Sequence, residues 1–166
     1  MKLALLMGNR YNPWHLQGFK RLRGGPTVTA FRAESQIQDH FKERGDGTEW
    51  MERERIYFDT QAGNAIARTY YTLAERYLSR SPRVLPFHEQ LKGYDVIHSW
   101  ELFTDWSASA LEARKQYNIP LAITVWDLLP FNMEREPGRR ELKRRVAEGA
   151  DRVVVERDRL GPGAER

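Results

Sequence analysis

Residues 94–131 read YDVIHSWELFTDWSASALEARKQYNIPLAITVWDLLPF, and this stretch decides the fold. An apolar pair, Val96-Ile97, ends in the polar and aromatic cluster His98-Ser99-Trp100-Glu101. A helix-like segment follows, with Trp106, Ala110, Ala113 and Tyr117 spaced as one inner stripe. Thr104 or Asp105 can cap its start, and Asn118-Ile119-Pro120 stops it. A second apolar run, Leu121 to Val125, then ends in Trp126-Asp127. The order strand, loop, helix, strand, loop places both loops on one side of a sheet. In an open parallel sheet, the edge at the strands' carboxyl ends is where ligands bind.

The same alternation extends in both directions. Leu3 to Met7 is a continuous apolar run, as expected for a strand covered on both faces. Thr27 to Phe31 reads as a second strand, and Ile56 to Phe58 as a short one. Ser35 to Arg44 reads as a short helix. Gln61 to Ser79 is the clearest helix, because Ile66, Tyr70, Leu73 and Tyr77 fall four, three and four residues apart. Pro137 suits the first position of a helix running to about Glu148, and Val153 to Val155 forms a last short strand. Connections of this length permit right-handed parallel crossovers. The expectation is a single three-layer α/β/α domain with a mainly parallel sheet over residues 1–160, and a flexible end over 161–166 around Gly161-Pro162-Gly163.

Composition excludes several classes. The chain has 166 residues, 40% of them hydrophobic, enough for one domain with its own core. It has no cysteine, which removes disulfides and thiolate metal sites. His15, His40, His88 and His98 are scattered, without metal-ligand spacing, so no metal is expected. The net charge is +4, but basic and acidic residues interleave and no recognition module is visible, so nucleic acid is not the expected partner. No apolar run approaches the roughly 20 residues needed to span a bilayer. The run after Met1-Lys2 is too short for a signal peptide and reads as a buried strand. The expected location is cytoplasmic.

Candidate site residues sit at the strand ends. Glu101 can accept hydrogen bonds from sugar hydroxyls or act as a base; the plainer reading is a solvated loop glutamate. Strand alternation puts His98 and Trp100 on one face and Glu101 on the other, which makes His98 a packed residue rather than a ligand. Asp127 can bind hydroxyls or take a proton, or it can simply cap the turn Leu128-Leu129-Pro130. The loop Gly8 to Trp14 offers Asn9, Arg10 and Trp14. It lacks a Gly-rich phosphate signature, so no nucleotide is expected on this domain alone. Arg139, Arg140, Lys143 and Arg144 lie on one helix. They can touch anionic lipid at the inner membrane surface or a phosphate, or they form a solvated face tempered by Glu141 and Glu148.

Four segments carry a family resemblance, the first of them, Leu3 to Asn12, a strand with a polar loop that loosely resembles a family's opening. Asp95-Val96-Ile97-His98 resembles a "DVIH" strand. Ile119 to Pro130, IPLAITVWDLLP, resembles "IPLVVTVHDLIP". Gly149 to Val155, GADRVVV, is similar to "GADRVI". In this order they resemble the N-terminal domain of group 1 retaining glycosyltransferases of the GT-B fold, and the likeness covers most of Tyr94 to Val155. The resemblance implies a Rossmann-like domain that forms one half of a GT-B fold. It implies a sugar acceptor bound by Asn9, Arg10, Trp14, Glu101 and Trp126, with Asp127 as the catalytic candidate. It further implies a partner donor-binding domain, covalent or separate, that holds the nucleotide-sugar without metal; the present chain alone would not transfer sugar. Two departures stand out. Trp126 replaces the family's histidine before Asp127, and an indole cannot exchange protons near neutral pH. Glu156-Arg157-Asp158 replaces a serine-containing loop. The competing expectation is a non-catalytic α/β binding module.

Overall fold

A computed structural model describes residues 1–6, 19, 25–33, 52–56, 69–70, 73–74, 77, 87–126 and 133–155. Six strands form one sheet: β1 (Lys2–Leu6), β2 (Thr27–Ala33), β3 (Glu52–Ile56), β4 (Val96–Trp100), β5 (Leu121–Val125) and β6 (Arg152–Val155). Two helices follow β4 and β5: α1 (Asp105–Tyr117) and α2 (Pro137–Gly149). The spatial order is β3-β2-β1-β4-β5-β6, and every pairing is parallel. The chain winds outward from β1 to β3, crosses back to β4, then winds out the other way. The strand order therefore reverses between β1 and β4, where such sheets open a crevice at their carboxyl ends.

Strand alternation divides the core in two. Ala4, Leu6, Phe31, Ile97, Leu121 and Ile123 face α1 and α2, whose Trp106, Ala110, Leu111, Ala113, Leu142 and Val146 are buried there. Leu3, Leu5, Val28, Ala30 and Trp100 form a second cluster, joined by Phe19 and Val96. Leu3 to Leu6 are all buried because β1 lies mid-sheet with a cluster on each face. This is an α/β Rossmann-like domain.

Local chemistry sets the element ends. Thr104 caps α1, its Oγ1 accepting the Ser107 N–H at 3.2 Å. Asn118 takes the left-handed conformation at φ 56° and closes the helix. Trp106, Ala110 and Ala113 are buried and Tyr117 is half-buried, as the stripe predicts. Pro137 is the first residue of α2. Gly149 is needed at its end, because a Cβ there would run into the buried Leu111 Cδ1.

The amino ends of the strands are joined by two aspartates. Asp95 Oδ2 accepts the Lys2 N–H at 2.6 Å, while Asp95 N–H donates to the Lys2 carbonyl at 2.9 Å. Asp151 Oδ2 accepts the Leu121 N–H at 2.8 Å, and Asp151 N–H donates to the Leu121 carbonyl at 2.9 Å. The Arg114 guanidinium forks onto Asp151 at 2.8 and 2.9 Å and holds its carboxyl below the usual carboxylate range.

Two expectations need correction. The third strand spans Glu52–Ile56 and so begins before the expected Ile56; Tyr57 and Phe58 lie outside the described residues. It is an edge strand of sequence ERERI, and charged edges are a known way of preventing stray strand pairing. The helix around Tyr70 is present, but the described residues of its apolar stripe face outward. Tyr70, Leu73 and Tyr77 are exposed, whereas Ala74 is buried. The sequence holds a second set at the same spacing, Ala67, Tyr71, Ala74 and Leu78, of which Ala74 is a described residue. The short helix expected over Ser35 to Arg44 lies outside the described residues.

Candidate functional site

The carboxyl ends of β4 and β5 carry a ladder of rings. His98 and Trp100 alternate onto the same face of β4 and stack with centroids 4.5 Å apart. Phe19 flanks His98 at 6.1 Å, and the Trp126 ring leans on Trp100 at 5.9 Å and 58°. The ladder is most buried at Trp100 and opens at Trp126. Trp100 is 8% exposed in the second core cluster, while Trp126, one residue beyond β5, is 37% exposed. A partly exposed indole backed by a buried one is a rigid apolar platform with an N–H at its edge.

His98 is a packing residue. Its Nε2 lies 2.8 Å from Thr124 Oγ1 on β5, and burial lowers its pKa to about 4. The ring is therefore neutral at pH 7 and forms part of the ladder's foundation.

Glu101 leaves β4 at φ 63°, a conformation that costs a residue other than glycine about 1–2 kcal/mol. The surroundings hold it there. Its N–H donates to the Thr124 carbonyl at 2.9 Å. Its carbonyl accepts from Ser107 Oγ at 2.5 Å, and its Oε1 accepts the Trp126 N–H at 2.9 Å. Ser107 is buried and also meets Ser99 Oγ at 2.9 Å. Its single hydroxyl proton goes to the Glu101 carbonyl, the shortest of its contacts, so Ser99 is the donor to Ser107. Thr104 Oγ1 lies 3.2 Å from the Trp100 carbonyl and completes the tie between loop and helix.

The basic residues of α2 fall into different surroundings. Arg139 is 8% exposed. Its guanidinium donates to the Phe103 carbonyl at 3.0 Å and to Asp105 Oδ2 at 3.1 Å, clamping α2 to the loop after β4. Burial and these two bonds turn the Arg139 guanidinium inward, toward the loop after β4, rather than toward solvent. Lys143 pairs with Glu134 at 2.8 Å, and Arg144 with both Glu141 and Glu148 at 2.7 Å. Both charges thus have partners within the helix and its entry turn. Arg140 is exposed.

Of the sequence-predicted site residues, the structure brings Glu101 and Trp126 together. Asn9, Arg10, Trp14 and Asp127 lie outside the described residues. Their strands nonetheless end at this edge: β1 finishes at Leu6, paired with Ser99, and β5 at Val125. Phe19, Thr124, Ser99 and Ser107 were not anticipated as supports. Ser107, three residues after the capping Thr104, was the available signal. Among the described residues there is no cluster of ligands for a metal ion, and no helix long and apolar enough to cross a membrane.

No family model matches the chain, and no curated protein matches it. Among solved structures it is similar to that of MT0777, with a TM-score of 0.50 and 12% identity over 97% of this chain and 88% of that one. A protein of unknown function from Vibrio parahaemolyticus RIMD 2210633, VPA0982, matches with a TM-score of 0.44 and 15% identity, covering 95% of this chain and 93% of that one. At such identities the likeness to MT0777 speaks for the fold alone.

Proposed function

We propose that this chain is the acceptor-binding domain of a sugar-nucleotide-dependent glycosyltransferase of the group 1, GT-B type. Together with a donor-binding domain it would pass a hexosyl group to a glycan, a lipid-linked glycan or a small hydroxylated acceptor. The observation that supports this reading is the Trp126 platform. It is exposed at the carboxyl edge of a parallel sheet, one residue beyond β5 and next to β4, which borders the point where the strand order reverses. An indole face suits the apolar face of a pyranose, and it needs no proton exchange, so the replacement of the family's histidine turns a polar contact into a stacking one. Asn9, Arg10, Trp14 and Asp127 complete the wall in this proposal, with the nucleotide-sugar held by the partner domain. The protein would work in the cytoplasm.

The test is equilibrium binding of short oligosaccharides, followed by tryptophan fluorescence, in the wild type and in Trp126→Ala. Loss of one stacking contact, about 0.5–1.5 kcal/mol, should weaken binding about two- to twelvefold. A response that survives the substitution removes Trp126 from the site. Tight binding of a nucleotide-sugar by this domain alone overturns the acceptor-side assignment. One observation favours the non-catalytic binding module as a second reading: the Glu101 carboxylate is engaged by a backbone N–H rather than poised as a base.

A further inference from the structure

We infer that Glu101 is a positioning residue: its carboxylate supplies the last rung between β4 and β5 and so fixes Trp126 as a platform. The inference rests on the acceptor-side reading of Trp126 and deepens it.

The geometry comes from the parallel ladder. The Ile97 N–H donates to the Pro120 carbonyl at 2.9 Å, and the Glu101 N–H to the Thr124 carbonyl at 2.9 Å, four residues further along each strand. In a parallel pair, a residue whose N–H meets one carbonyl offers its own carbonyl to the N–H two residues beyond it. The next donor is therefore Trp126 N–H, and its regular acceptor would be the carbonyl of Glu101. That carbonyl is turned aside by the positive φ and taken by the Ser107 hydroxyl. The side chain of the same residue replaces it, with Oε1 at 2.9 Å from the Trp126 N–H. Backbone and ring are thus fixed separately, the backbone by Glu101 and the ring by Trp100 at 5.9 Å. The rung needs an acceptor at this reach, not a negative charge, which accounts for a glutamate here without assigning it chemistry on the ligand.

Two substitutions separate reach from charge. Glu101→Gln keeps the length and an acceptor oxygen but loses the charge; Glu101→Asp keeps the charge but withdraws the acceptor by one methylene. Amide hydrogen exchange at Trp126 reads the rung directly, and oligosaccharide titration reads the platform. Exchange at Trp126 should be at least about tenfold faster in Glu101→Asp and near wild type in Glu101→Gln, with glycan affinity following the same order. If exchange at Trp126 is unchanged in Glu101→Asp, there is no rung and the inference fails. If Glu101→Gln keeps Trp126 protected yet loses glycan as fully as Trp126→Ala, the carboxylate itself contacts ligand and the inference also fails. If the wild type binds no glycan, the acceptor reading falls, while the exchange data still decide the rung.

Discussion

The two ends of the sheet solve one problem in different ways. At the amino ends, Asp95 and Asp151 each accept the first N–H of the neighbouring strand, from Lys2 and Leu121. At the carboxyl ends, Glu101 accepts the N–H of Trp126. The amino-end acids cap strands in a regular backbone, and Asp151 has a cation on it. The carboxyl-end acid sits in a left-handed turn beside a ladder of rings that opens to solvent. Under the glycosyltransferase proposal, this difference separates the segments that resemble that family. The "DVIH" and "GADRV" segments begin with Asp95 and contain Asp151, and both acids have a strand-capping task that any parallel sheet can use. The proposed function depends instead on the "TVWDLLP" end, where Trp126 stands at the position of the histidine in the segment it resembles.

The contrast predicts that the carboxyl end tolerates loss of a support least. Arg139→Ala leaves Asp105 buried without its guanidinium and releases the Phe103 carbonyl. Breaking a buried pair on one side costs about 3–5 kcal/mol, and urea denaturation should show a loss of that size. A loss below about 1 kcal/mol would mean that the clamp between α2 and the loop after β4 is dispensable.

The next effect is read by pH. His98 has a folded pKa of about 4, against 6.5 for the free side chain, because burial disfavours its cation. The unfolded chain therefore binds a proton between those values that the folded chain does not. The stability that His98 contributes is complete above pH 6.5 and falls as the pH drops toward 4, by up to about 3 kcal/mol. Urea midpoints of the wild type should decline across this window, and His98→Phe should remove that part of the slope. A wild-type slope that persists in His98→Phe assigns it to another group.

The second half of the fold is legible in the sequence because local signals settle it. Apolar runs mark β4 and β5, Thr104 and Asn118 bracket α1, and Pro137 opens α2. The rest depends on distant partners or on ambiguous periods. β3 carries charges where an apolar period was sought, since it lies at a sheet edge. The sequence around Tyr70 holds two sets of equal spacing, and periodicity favours the bulkier one, while the structure buries Ala74. Arg139 reads as a surface cation until Asp105, 34 residues earlier, is brought to it. At the site, the adjacency of Glu101 and Trp126 follows from placing β4 beside β5. The hydrogen bond between them requires the strand register and the backbone turn, and neither is written in residue spacing.

The smallest effect tests the amino end itself. Asp151→Ala removes the acceptor for the Leu121 N–H and the partner of Arg114, both at a half-exposed site where water can replace them. The expected cost is about 1 kcal/mol at neutral pH. Its pH signature differs in position from that of His98. Arg114 and the Leu121 N–H lower the Asp151 pKa, so its contribution is present above the ordinary carboxylate range and is lost as the pH falls through the lowered folded value. That loss lies below about pH 4, on the acid side of the His98 window. Since Asp151 lies at the opposite end of β5 from Trp126, Asp151→Ala should leave oligosaccharide binding intact at neutral pH. Weakening comparable to that of Trp126→Ala would mean that the two ends of the sheet are coupled, and the separation between a structural end and a ligand-facing end would not hold.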